Sequence, residues 1–258
     1  MSNVVVTRGP VTTVTLNRPG VRNALNTETI HELITLFHDV AGDAAVEVVV
    51  LTAAGDKAFC AGADLSEVRR LKTQDDVRTY FGNMARLIDT VHTMPQPVIG
   101  AAFGYVLAGG MGLAAGVDLL VASADAKFGL PEVKVGLYPM VVTAPISRLI
   151  GTRRTLELGL TGRVIDATMA EAWGFVNRVV PQGQALNEAL RLAEEIQAGS
   201  PVIARLGKEG WRLAQNMGLG DAMETLRNLV SLVALSDDSR EGVAAFVEKR
   251  KPQWPSRL

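Results

Sequence analysis

Cysteine is almost absent: the 258 residues hold one, Cys60. A single thiol excludes an internal disulfide and a zinc ribbon. Histidine is scarce as well. His31, His38 and His92 have no partners at ligand spacing, so no metal is expected. Neither sign of charge predominates. The 26 basic and 27 acidic residues leave a net charge of −1, which gives no electrostatic case for nucleic acid or an anionic membrane surface. No apolar run is long enough to span a bilayer, and the longest candidate, Val98 to Ala124, is broken by glycines and Asp118. The first residues lack the charged region and apolar run of a secretory signal. No repeat of fixed period and no low-complexity segment occurs. The expectation is a soluble, cytoplasmic globular chain. Its 48% hydrophobic content suffices for one large core with or without a smaller appendage.

What is present centres on Gly104-Tyr105-Val106-Leu107-Ala108-Gly109-Gly110-Met111-Gly112. The apolar run before it, Pro97 to Phe103, reads as a buried strand, and Val117 to Ala122 reads as another. Small residues between two strands predict a tight turn into a short buried helix. The first backbone N–H groups of such a helix find no acceptor within it, so that end favours negative charge.

Elsewhere the pattern alternates strand and helix, then turns helical. Val4–Thr7 and Val11–Leu16 form an expected hairpin about Arg8-Gly9-Pro10. Asn26 is placed to cap a helix whose stripe is Ile30, Leu33, Ile34, Phe37, Val40 and Ala41. Val46–Thr52 reads as a strand covered on both faces. Residues 66–74 read as a polar, mobile connection, and Tyr80, Met84, Leu87, Ile88 and Val91 as a helical stripe. Pro139 opens a helix over Met140–Ile150 with Pro145 inside it. Helix, helix and a strand over Phe175–Val180 follow. From Gln184 the pattern is helical, broken at Gly199-Ser200-Pro201 and Met217-Gly218-Leu219-Gly220. The reading is an α/β core with a C-terminal helical extension.

Two loops, Ala58-Phe59-Cys60-Ala61-Gly62-Ala63-Asp64-Leu65 and Gly104 to Gly110, occur with Arg18-Pro19 and Asn23-Ala24-Leu25 upstream. Phe128-Gly129-Leu130-Pro131-Glu132, Leu160-Thr161-Gly162-Arg163, Ala172-Trp173-Gly174-Phe175-Val176-Asn177-Arg178 and Glu241-Gly242 to Pro252 lie downstream. Together they resemble the enoyl-CoA hydratase/isomerase, or crotonase, superfamily over almost the whole chain. The resemblance implies a spiral of ββα units over residues 1–198 and a helical oligomerisation region over 199–258, giving a homotrimer or a dimer of trimers. It implies an acyl-CoA thioester substrate with no separate cofactor, coenzyme A being part of the substrate. Its oxyanion donors carry over to the N–H groups of Ala63 and Gly109, and its acid–base carboxylate to Glu132. Fixed amide dipoles stabilise the charge of a thioester enolate, and losing one such donor typically costs on the order of 100- to 1000-fold in rate. Ala24, Ala61, Asp64, Leu65 and Tyr138 are expected against the CoA or acyl group, with Arg22 and Lys249 near the CoA phosphates.

One departure stands out. Two-glutamate hydratases carry a second acid where this chain has Gly112. A lone carboxylate can still move a proton from one carbon to another on one face. The sequence therefore favours a Δ3,Δ2 double-bond shift, with hydration of 2-enoyl-CoA as the alternative. Val133, Leu137, Tyr138 and Met140 are expected to supply apolar surroundings for Glu132, and Tyr138–Val142 with residues 66–80 the acyl pocket. Cys60 reads as a small buried residue more than a nucleophile. Gly110 to Ala115 also satisfies G-x-G-x-x-A with Glu132 downstream, a dinucleotide fingerprint, but one set mid-chain and with its acid after a proline. A non-catalytic scaffold on the same fold is a further alternative.

Overall fold

The structure is a computed structural model and describes residues 2–257. They form two units. The first holds the described residues up to Met94 and Val98–Ala193; the second holds Pro95–Pro97 and the described residues from Glu194 onward.

The first unit begins with the hairpin β1 (Val4–Thr7) and β2 (Val11–Leu16), followed by α1 (Thr27–Gly42). Asn26 caps α1 by accepting the Thr29 N–H at 2.9 Å; Ile30, Leu33, Phe37 and Val40 of the expected stripe are buried, and Ile34 and Ala41 at its edge are half-buried. Burying one such side chain stabilises by roughly 1.5–3 kcal/mol. Then come β3 (Val48–Ala53), β4 (Ala58–Cys60), α2 (Leu65–Val68) and α3 (Gln74–His92). The next turn is β5 (Val98–Ala102), β6 (Tyr105–Leu107) and α4 (Gly109–Ala115). A third is β7 (Leu119–Ser123), β8 (Lys127–Gly129), a 3₁₀ turn at Pro131–Val135, and α5 (Met140–Ile150). α6 (Thr152–Thr161), β9 (Val164–Asp166), α7 (Ala167–Ala172), β10 (Arg178–Val180) and α8 (Ala185–Gln197) follow.

Each of the three turns gives one strand to each of two sheets. The larger sheet has the order β1-β2-β3-β5-β7-β10, antiparallel only between β1 and β2. The smaller has the order β4-β6-β8-β9, parallel from β4 to β8. This is the spiral of ββα units that the resemblance implies. β3 is buried along its whole length, as its near-continuous apolar run requires of a strand covered on both faces.

Local differences from the sequence reading have local causes. Residues 65–68 are helical because Asp64 caps them, its carboxylate accepting the Ser66 N–H at 3.1 Å. The last strand starts only at Arg178. The N–H groups of Phe175 and Val176 turn back onto the Ala170 carbonyl at 2.9 and 3.4 Å, closing α7 instead of extending a strand. Short β4, β6, β8 and β9 were not foreseen, three residues each being too few for a periodic signal.

The second unit contains α9 (Pro201–Ala214), α10 (Leu219–Val233) and α11 (Asp237–Val247). Ser200 and Ser236 cap α9 and α11. Among the described residues, no helix is long and apolar enough to cross a membrane.

Candidate active site

The smaller sheet assembles the site. Parallel strands all end on one side, and β4, β6 and β8 are neighbours. Ala63 lies just beyond β4, Gly109 just beyond β6 and Glu132 just beyond β8. With strands about 4.8 Å apart, residues at three adjacent strand ends fall within about 10 Å of each other across the sheet. All three line one cavity of ≈ 790 Å³.

The Ala63 loop is held against residues 22–25. The Leu25 N–H donates to the Gly62 carbonyl at 2.8 Å, and the Asp64 N–H donates to the Leu25 carbonyl at 3.0 Å. In such a parallel bridge the neighbours of Ala63 engage Leu25, so the Ala63 N–H itself faces away from that partner. On the second loop, Ala108 has φ 53° and ψ −125°, a conformation strained for a residue with a Cβ. It turns the chain so that Gly109 opens α4. The first intrahelical bond is Gly112 N–H to Ala108 carbonyl at 3.1 Å, which leaves the Gly109 N–H without an acceptor in its helix. The two loops meet closely. A Cβ on Gly62 would stand 3.0 Å from the Gly109 nitrogen, and one on Gly110 would stand 2.1 Å from the Cys60 carbonyl oxygen. Only glycine fits at 110.

Glu132 opens the 3₁₀ turn after Pro131. Its Oε2 is buried and, among the described residues, has no hydrogen-bond partner. Burial raises its pKa from 4.5 to about 7, while its own backbone N–H pulls weakly the other way. Asp64 also lines the cavity but is committed elsewhere. Burial works to raise its pKa, yet bonds from Ser66 and Arg18, the latter at 3.1 Å, outweigh that and hold it below the usual carboxylate range.

The cavity wall also includes Ala24, Ala61, Leu65 and Tyr138. Two of the expected substrate contacts, Arg22 and Lys249, are not among the residues lining this cavity. Arg22 is not on the wall; its guanidinium stands over the Tyr105 ring at 5.5 Å. Lys249 belongs to the second unit, in left-handed backbone with φ 54°. Of the apolar residues expected around Glu132, Leu137, Tyr138 and Met140 are on the wall, but Val133 is not; it reaches instead toward Gly162. Of residues 66–80, only Ser66 contributes. Phe81 and Met84, further along α3, take the place expected for that segment. In the sequence Met84 is one member of a helical stripe and Phe81 carries no mark, since periodicity reports burial and not which cavity a face meets.

Gly112 is filled from outside. A Cβ there would stand 2.3 Å from Val142 Cγ1, 2.8 Å from Val142 Cβ and 3.0 Å from Ile88 Cδ1. The place of a second acid is therefore occupied by packed hydrocarbon from α5 and α3. Gly110 is likewise consumed by packing, against the Cys60 backbone. Cys60 is fully buried, and burial pushes its thiol up to about 12, so it is no nucleophile.

The sequence pattern of the family described as enoyl-CoA hydratase/isomerase matches residues 7–257. A putative enoyl-CoA hydratase of Thermus thermophilus is 39% identical over 253 residues, covering 97% of this chain and 100% of that protein. A short-chain-enoyl-CoA hydratase of Clostridium acetobutylicum is 33% identical, with 97% of each chain covered. The crystal structure of an enoyl-CoA hydratase from Bacillus anthracis superposes with a TM-score of 0.94 at 34% identity, covering 99% of this chain and 100% of that one. Family pattern, relatives and spiral fold agree along the full length, and the chain belongs to the enoyl-CoA hydratase/isomerase family.

Proposed function

We propose that the chain adds water across the double bond of 2-enoyl-CoA thioesters, with Glu132 as acid–base group and the N–H groups of Ala63 and Gly109 as donors to the thioester oxygen. The observation that carries the reading is Glu132, a cavity carboxyl with one buried, unpartnered oxygen and a pKa raised to about 7. A group poised near the working pH takes and returns a proton at least penalty. Hydration displaces the isomerisation favoured on sequence alone, because the relatives carry hydratase names.

In this mechanism the two amides polarise the thioester carbonyl and draw electron density from C3. The Glu132 carboxylate takes a proton from water as the water oxygen bonds to C3. The C2=C3 electron pair moves toward the carbonyl, forming an enolate whose oxygen is stabilised by both N–H groups. Glu132 then passes its proton to C2, and the carboxylate is restored. The water's hydroxyl ends on C3 and its proton on C2, on the same face, since one carboxyl handles both. Ala24, Ala61, Leu65 and Tyr138 contact the CoA or acyl group, with Asp64 fixing the loop beside it. Arg22 and Lys249 are proposed to meet the CoA phosphates.

One observation favours the second reading, a Δ3,Δ2 double-bond shift. Hydrocarbon fills the second-acid position at Gly112, and isomerisation needs no water. Glu132 would then take a proton from C2 and return it to C4. Purified protein assayed with crotonyl-CoA and with 3-hexenoyl-CoA separates the two. Hydration dominating supports the first reading; a double-bond shift without hydration overturns it. In either case, Glu132→Gln removes turnover.

A homo-oligomer, trimer or dimer of trimers, is proposed as well. Support comes from the second unit, where Phe246 is 85% exposed, Leu219 78% and Leu232 69%. An oligomer that covers these large apolar side chains would take them out of water.

A further inference from the structure

We infer that Tyr80 is a positioning residue, setting the direction in which the Ala63 N–H is presented to substrate. The inference rests on the donor role proposed for Ala63. Tyr80 is buried on α3, and its hydroxyl touches both strands of the bridge that flanks Ala63. It donates to the Leu25 carbonyl at 2.5 Å and accepts the Asp64 N–H at 3.1 Å. The same N–H also donates to the Leu25 carbonyl at 3.0 Å. Three bonds thus close a triangle immediately beside Ala63. A hydroxyl suits this corner because it donates and accepts at once, which neither an amide N–H nor a carbonyl can do.

The same face of α3 reaches the other loop. Four residues on, about 6 Å along the helix axis, Met84 Cε lies 3.2 Å from where a Cβ on Gly109 would be. A further four residues on, Ile88 Cδ1 lies 3.0 Å from the corresponding point at Gly112. One rigid helix, fixed at its start by a Thr73–Asp76 capping box, therefore braces both proposed donors against each other. Tyr80 is its polar rung and Met84 its apolar one. Tyr80 is not on the cavity wall.

Tyr80→Phe tests the assignment cleanly. The ring stays, and the Leu25 carbonyl and Asp64 N–H keep the bond to each other, so neither is orphaned. The readout is 2,4-hexadienoyl-CoA bound in a Glu132→Gln background, whose absorption moves to longer wavelength when its carbonyl accepts strong hydrogen bonds. Tyr80→Phe is expected to diminish that shift. In the active enzyme it is expected to lower kcat about 10- to 100-fold, the scale of a small misplacement at a reacting centre. KM should change less than twofold, and the pH profile, set by Glu132, should not move. A merely structural role would lower Tm and leave the shift of the folded protein intact. A full shift with unchanged kcat in Tyr80→Phe overturns the inference. Bound ligand with no shift even when Tyr80 is present overturns the donor role of Ala63 and Gly109, and the inference with it. Should Tyr80→Phe fail to fold, 3-fluorotyrosine placed at position 80 alone keeps the size and alters both hydroxyl bonds. An altered shift then supports the assignment, and an identical one overturns it.

Discussion

Replacing Glu132 by glutamine should abolish turnover and stabilise the fold, with the second effect confined to one pH range. The carboxyl ordinarily titrates near 4.5 and here does so at about 7, because burial penalises its ionised form. That rise corresponds to ~3 kcal/mol of folding free energy lost once the group is ionised. Solvent reaching the cavity screens part of it, leaving ~1–2 kcal/mol. Below pH 4.5 both folded and unfolded chains hold the proton, and the group has no effect. Between 4.5 and 7 the folded chain keeps a proton that the unfolded chain has released, so stability falls as pH rises. Above 7 the deficit is complete. Glutamine carries no such charge. Glu132→Gln should therefore raise stability by ~1–2 kcal/mol at pH 8, about 2–4 °C in Tm for a chain of this size. At pH 4 it should match the parent. In the same preparation kcat on crotonyl-CoA should fall about 100- to 10,000-fold. Denaturation at the two pH values, run beside the kinetic assay, measures both. A variant that loses stability at pH 8, or gains equally at pH 4, refutes the burial argument for Glu132.

Gly112→Ala should lower Tm, although glycine to alanine inside a helix ordinarily gains up to about 1 kcal/mol. Here the new methyl meets Val142 at 2.3 and 2.8 Å, and such overpacking costs about 1–3 kcal/mol. Adding Val142→Ala should restore stability only in part, since it removes the Cγ1 contact and leaves the Cβ one; full recovery in thermal melts would contradict the geometry. Ala108→Gly should raise Tm, because releasing left-handed strain of about 1–3 kcal/mol outweighs the added freedom of the unfolded chain, about 0.4–1 kcal/mol. A lower Tm would mean that Ala108 is unstrained. Phe246→Asp with Leu232→Asp should leave a smaller species in light scattering after size exclusion, and an unchanged mass would remove these two side chains from the proposed assembly.

The long elements were legible in the sequence because each carries several turns or pleats of one period. α1 and α3 announce themselves through Ile30, Leu33, Phe37 and Val40, and through Tyr80, Met84, Leu87, Ile88 and Val91. β3 does so through a near-continuous apolar run interrupted at Thr52. The smaller sheet was not legible, since its three-residue strands are stabilised by neighbours remote in the chain and not by local pattern. Glu132 and the two small-residue loops could be named from motif, but their meeting could not be derived from it. Val142 was read as acyl-pocket material, whereas the structure adds a second task, closing the position opposite Gly112. Arg22, named by its place in a motif, stands over Tyr105 from a left-handed turn at residues 22–23, a placement no periodic pattern announces.

That second sheet explains why a site can be built from residues so distant in sequence. Each turn of the spiral must return to the same end before it lays down its next parallel strand, so β4, β6 and β8 release their chains at one edge. Whatever follows each strand becomes a neighbour of whatever follows the next. The first turn contributes the proposed donor at Ala63, the second the proposed donor at Gly109, and the third the proposed acid–base carboxyl at Glu132. Chemistry is thereby divided among loops, while the distances between them are set by strand spacing. Substitution within one loop can change the reacting group without moving the other two. Gly112 illustrates the limit of that freedom. It lies within α4, where Val142 and Ile88 press from neighbouring helices, so an acid there requires α5 and α3 to give way as well.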